Sequence, residues 1–180
     1  MAPQASGLRF SVLIFGALAC NTTYYIVAGR FSEALESVAW YALLILFILE
    51  TTNQRLAQQT WMRIALRGAR LAATLAIATT AVLYLRENEW LDAANLMLWI
   101  AVVMLLEVEV WRPAAVAANR RTFTLCAVAL YSALAGLIVT WLVIGKWMNA
   151  WDASVWLVAF GLLEKDLLRD PYTKILFKNK

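Results

Sequence analysis

The 180 residues contain no histidine, two cysteines, three prolines and only 16% charged side chains. Without histidine there is no bis-His haem ligation, no His-based zinc site and no residue titrating by default near neutral pH. Cys20 and Cys126 stand in separate apolar stretches with no CxxC spacing, so they are expected to be buried free thiols acting as small hydrophobes. The sequence also has no GxGxxG turn, no phosphate-binding loop, no HExxH and no serine nucleophile with a base beside it. A soluble domain carries about a quarter charged residues. The deficit here excludes disorder, a disulfide scaffold and most soluble enzymes.

Apolar residues are abundant instead: 63% of the chain is hydrophobic, with nine tryptophans and a mean hydropathy of +0.67. Runs close to the ~20 residues needed to cross a bilayer occur at about Leu8–Ala28, Leu35–Leu49, Ala69–Leu85, Trp90–Val110, Phe123–Ile144 and Ala150–Leu163. The expected fold is all-α: a single integral membrane domain over residues 1–180, its six transmembrane helices forming three tandem hairpins. The hairpins are expected at about 8–50, 69–110 and 123–164. Ala17-Leu18-Ala19 resembles a signal-peptidase site, but cleavage there would remove half of the first helix, so an uncleaved span is expected. Asn21-Thr22-Thr23 matches a glycosylation acceptor that falls inside that span. With Tyr24 and Tyr25 it is the polar cluster of the first helix, suited to interhelical hydrogen bonding.

The net charge is +4, and the location of the charges says more than their sum. Three short connections carry only Arg30, Arg86 and Lys146 as cations; the other thirteen, among them Arg9, Arg67, Arg70, Arg120 and Arg121, lie in the longer segments and tails. Cations are retained on the cytoplasmic side. Both termini are therefore expected in the cytoplasm, in a membrane of the bacterial inner (plasma) type. The bilayer and other membrane-protein helices, or copies of the same chain, are the expected partners; no nucleic acid and no cofactor are.

The outer connections resemble one another when Arg30, Arg86 and Lys146 are aligned, each with a carboxylate six residues on (Glu36, Asp92 and Asp152). Cations closing one helix and acids opening the next complement the helix dipole; an outer cation-binding rim is the functional alternative. At the inner ends, Glu50, Glu107 and Glu164 recur 57 residues apart, followed by Glu109 and Asp166. If Glu36, Asp92 and Asp152 mark the outer boundary, these glutamates are only about 18–23 Å below it, inside a hydrocarbon core of about 30 Å. Ionisable groups at such depth need a partner, water or a proton. Arg9, Arg67, Arg70, Arg120 and Arg121 enter the membrane from that side and could pair with them; a proton or cation pathway is the other reading. Arg63, Arg67 and Arg70, with Trp61, Met62, Ile64 and Leu66, are expected to form an amphipathic segment in the headgroups. Trp61, Trp90, Trp111, Trp147 and Trp151 are expected at the interface, and Trp40, Trp99 and Trp156 deeper. The function these features favour is a non-enzymatic accessory or scaffold subunit, with a small proton or cation transporter or channel as the alternative.

Overall fold

In the computed structural model, residues 4–52 and 59–169 are described, the side chains of 4–12, 50–52, 110–111 and 162–169 excepted. Within them the chain is all-helical: α1 (Gln4–Ala28), α2 (Phe31–Thr52), α3 (Thr60–Arg86), α4 (Trp90–Trp111), α5 (Pro113–Ala118), α6 (Arg120–Val143) and α7 (Trp147–Arg169). Four stretches are long and apolar enough to cross a membrane: Phe31–Leu49, Thr60–Arg86, Trp90–Glu109 and Arg120–Val143. The described apolar part of α1, Leu13–Ala28, is shorter, and the sixth expected span falls in α7, whose side chains past Gly161 lie outside the description.

The breaks between these helices have local causes. Pro113 cannot continue α4 and opens α5 instead, a short helix inside what the sequence offers as a connection. At the α3–α4 turn, Asn88 takes a left-handed conformation (φ 58°) and the Glu89 N–H donates to Tyr84 O at 3.0 Å. At the α6–α7 turn, Gly145 does the same (φ 80°), with Lys146 N–H donating to Trp141 O at 2.9 Å. These bonds satisfy carbonyls that a helix end leaves open, and Gly and Asn are the residues that adopt this geometry cheaply. The α1–α2 turn is tighter, and a Cβ on Gly29 would lie 2.7 Å from the Tyr25 carbonyl oxygen.

The helix that follows each turn starts with the same residue types. The first residue is Phe31, Trp90 or Trp147, the fourth is Ala34, Ala93 or Ala150, and the tenth is Trp40, Trp99 or Trp156. Each alanine N–H donates to the residue before the helix, at 3.0–3.2 Å. The three starts are 59 and 57 residues apart. The alignment of Arg30 with Arg86 and Lys146 is therefore corrected: Arg86 closes α3, and Glu89 holds the place of Arg30 and Lys146.

The chain forms two compact units. In the unit Ala19–Phe123, α2 packs against α3 and α3 against α4. Ala73, Ile77, Thr80 and Tyr84 make one face of α3, and Ala39, Ala93 and Leu96 join them in the core, with Trp40, Leu43 and Ala76 against it. Between helices in lipid the attraction comes from close van der Waals contact, for which alanine lets two backbones approach. In the alanine-rich stretch 69–81, Ala73, Ala76 and Ala81 serve that purpose, while Ala69, Ala72 and Ala78 are exposed. The Ser37 hydroxyl donates to Thr22 Oγ1 at 3.1 Å, so the polar cluster of α1 does bond across helices. Asn21 is 4% exposed, and its match to a glycosylation acceptor carries no accessible amide. In the other unit, formed by 1–18 and 124–180, α6 buries Leu134 and Trp141, and α7 buries Ala150, Ala153, Trp156 and Ala159.

Two expectations change. Cys20 and Cys126 are exposed rather than buried, on the flanks of apolar helices. The segment carrying Arg63, Arg67 and Arg70 is not a separate interfacial helix. It is the start of α3, which continues unbroken for 27 residues. At 1.5 Å per residue that is about 40 Å, so a turn or two stands beyond a ~30 Å core. Trp61, Trp90, Trp147 and Trp151 are exposed, whereas Trp99 and Trp156 are buried and Trp40 packs on the core. The Trp111 side chain lies outside the described residues.

Candidate functional site: an arginine clasp between two turns

Arg30 is the last residue before α2, and it gathers carboxylates from both turns of its unit. Its backbone N–H donates to Glu33 Oε2 at 2.9 Å, half of a capping box in which the third helical residue reaches back to the cap. The guanidinium lies 2.7 Å from Glu33, 2.6 Å from Glu89, 3.1 Å from Asp92 and 3.6 Å from Glu87. Glu87 and Glu89 belong to the α3–α4 turn and Asp92 to the first turn of α4, so one side chain joins two turns about 60 residues apart in the chain. Ser32, fully buried, adds a second link by donating its hydroxyl to Glu87 Oε2 at 2.7 Å. A third runs one turn deeper, where the Tyr84 hydroxyl of α3 donates to Glu36 Oε2 of α2 at 2.5 Å.

The planar guanidinium suits this place because it presents several N–H donors in fixed directions. Burial on its own would ease the proton off Arg30. The hydrogen bond to Glu33 and the charges of Glu33, Glu89 and Asp92 outweigh it, and the net direction is upward. The pairs differ in solvent access: the Asp92 side chain is 5% exposed, the Arg30 side chain 37%. Loss of the guanidinium would therefore strand Asp92 above all, whereas the carboxylates nearer solvent would recover hydration. One cation among four carboxylates leaves a formal surplus of negative charge. The carboxylates nonetheless converge on the guanidinium, and among the described residues no group of three or more His, Cys, Asp or Glu side chains is placed to hold a metal ion.

Of the residues singled out in the sequence, Arg30, Glu36 and Asp92 thus come together, though not in the cap-and-dipole roles alone. Arg86 is exposed at the end of α3. Lys146 and Asp152 belong to the other unit, as the residue before α7 and the sixth residue within it. Ser32, Glu33, Tyr84, Glu87 and Glu89 are additions. Their signal in the sequence is the crowding of Glu87, Glu89 and Asp92 into six residues beside a single cation.

At the inner ends, Glu107 is exposed and lines a shallow open groove with Met104, Val108 and Arg112. Among the described residues, neither Glu107 nor Glu109 forms a salt bridge; Arg67, Arg70, Arg120 and Arg121 all have exposed side chains. The side chains of Arg9, Glu50, Glu164 and Asp166 lie outside the described residues. The depth argument depends on where it is counted from, because α2, α4 and α7 begin two to five residues before Glu36, Asp92 and Asp152. Counted from the residue before each helix, Glu50, Glu107 and Glu164 lie 20, 18 and 18 residues along. That is about 27–30 Å, the full thickness of the hydrocarbon. By the same count Glu109 and Asp166, like Glu50, stand 20 residues along from the residue before their helices. No protein-family model, curated protein or solved structure matches the chain.

Proposed function

We propose that the chain is a non-catalytic subunit of a membrane assembly: six spans in three tandem hairpins, descended from one repeated hairpin, with both termini on the cation-rich cytoplasmic side of a plasma membrane of the bacterial type. The observation that carries this reading is how the polar groups are used. At the two turns of the unit Ala19–Phe123, Arg30, Ser32 and Tyr84 are spent on Glu33, Glu87, Glu89, Asp92 and Glu36, which fixes α2, α3 and α4 against one another. The aromatic, alanine and tryptophan at positions one, four and ten of α2, α4 and α7 support the repeat. The helix surfaces support a packing role, since only 11% of the most apolar window of α6 is buried within the chain. In a bilayer such a surface meets lipid or the helices of another protein.

The second reading, a small proton or cation transporter, is favoured by Glu107, which shares its groove with Arg112 and has no ion-pair partner among the described residues. Glu50, Glu109, Glu164 and Asp166 would complete an acidic inner mouth. Reconstitution separates the two. Proteoliposomes holding the chain alone are expected to show no proton or potassium flux above protein-free vesicles, and Glu107→Gln to fold with unchanged thermal stability. Flux that Glu107→Gln abolishes would establish the transporter instead.

A further inference from the structure

Among the described residues, two buried polar atoms stand without a hydrogen-bond partner at positions that match a bonded pair elsewhere in the chain. The first is Nε1 of Trp141, whose residue is 1% exposed; the second is Oδ1 of Asn95, itself sealed from solvent. Trp141 is the third residue from the end of α6, and its carbonyl takes the turn-closing bond from Lys146. Tyr84 is the third residue from the end of α3, takes the same bond from Glu89, and is equally buried at 2%. Asn95 is the sixth residue of α4, as Glu36 is the sixth residue of α2. Tyr84 and Glu36 are donor and acceptor of one hydrogen bond. Trp141 thus holds the donor position of that bond and Asn95 the acceptor position, each with an atom of the matching polarity.

We propose that Trp141 donates its indole N–H, and that Asn95 accepts a donor at its amide oxygen, each in a hydrogen bond to a neighbouring span of the kind that joins Tyr84 to Glu36. An indole N–H or an amide oxygen left bare inside a membrane protein loses the full worth of its hydration. Leucine would fill the space of Asn95 at no such cost, and phenylalanine most of the space of Trp141. Rotation of the amide about its last torsion is soft, and the indole needs a single acceptor. The bond at the end of α3 is then one instance of a device shared by the ends of α3 and α6 and the starts of α2 and α4.

The sign of a stability change tests this. In the full chain reconstituted in lipid nanodiscs, Trp141→Phe and Asn95→Leu are each expected to lower the thermal midpoint by about 2–6 °C. An unchanged or raised midpoint for either variant overturns the proposal, because removing a truly unpartnered group relieves a penalty. A measurement on the wild-type chain covers the case in which a variant fails to fold. The side-chain ¹H–¹⁵N resonance of Trp141 is expected at the downfield position of a hydrogen-bonded indole, and a position typical of indole in hydrocarbon would contradict it.

Discussion

Arg30→Met is expected to destabilise the folded protein by about 2–4 kcal/mol, measured by thermal or denaturant unfolding in nanodiscs. Breaking a buried ion pair by removing one partner typically costs about 3–5 kcal/mol, because the remaining charge is stranded. Here the stranded group is Asp92, 5% exposed, while Glu33, Glu87 and Glu89 are partly wet and recover some hydration, which trims the figure. The loss has a second origin in like charge. Without the guanidinium, four carboxylates from two turns face one another, and protonating them relieves the repulsion. The variant should therefore regain part of its stability as pH is lowered through the carboxylate range, and Arg30→Met with Glu89→Gln should be more stable than Arg30→Met alone. Arg30→Lys should fail to restore the wild-type value, since one ammonium cannot serve the directions in which Glu33, Glu89 and Asp92 lie. Equal stability of Arg30→Met and wild type would remove the clasp as a structural element.

Tyr84→Phe is the second large effect, about 1.5–3 kcal/mol, the range for a hydrogen bond to a charged acceptor. The ring is 2% exposed in the core between α2, α3 and α4, so the substitution deletes the hydroxyl and little else. Glu36→Gln keeps an acceptor at the same place and should cost less. In a double-mutant cycle, Tyr84→Phe and Glu36→Gln should be clearly non-additive, as expected for groups in direct contact. Additive losses would mean that the hydroxyl and the carboxylate act independently.

Much of the helix layout is legible in the residues because hydropathy, end charges and turn residues agree. Asn88 and Gly145 mark their turns through left-handed backbone, Pro113 through its missing N–H, and Trp99 and Trp156 mark buried faces. Helix starts are less legible. Phe31, Trp90 and Trp147 sit ahead of polar residues, and an apolar run counted from Leu35 or Ala150 omits the first turns that backbone capping builds. The depth of Glu50, Glu107 and Glu164 depends in turn on whether it is counted from Glu36, Asp92 and Asp152 or from the helix starts two to five residues earlier. The clasp itself was not legible, because which carboxylates meet Arg30 depends on α3 packing against α2 and α4. Periodicity sets the faces of a helix, but the close approach at Ala39, Ala73 and Ala93 decides the neighbours.

The most direct measurement is the composition of what surrounds the chain in its own membrane. Native membranes are extracted with a nanodisc-forming polymer, without detergent, and the tagged chain is isolated and its particles weighed and sequenced. A subunit that exists to pack against other membrane helices will come out with a larger membrane protein in fixed stoichiometry, retained through size exclusion. A particle holding only copies of this chain, which conducts protons or cations when reconstituted, would contradict the assembly reading and leave the inner glutamates as its working parts.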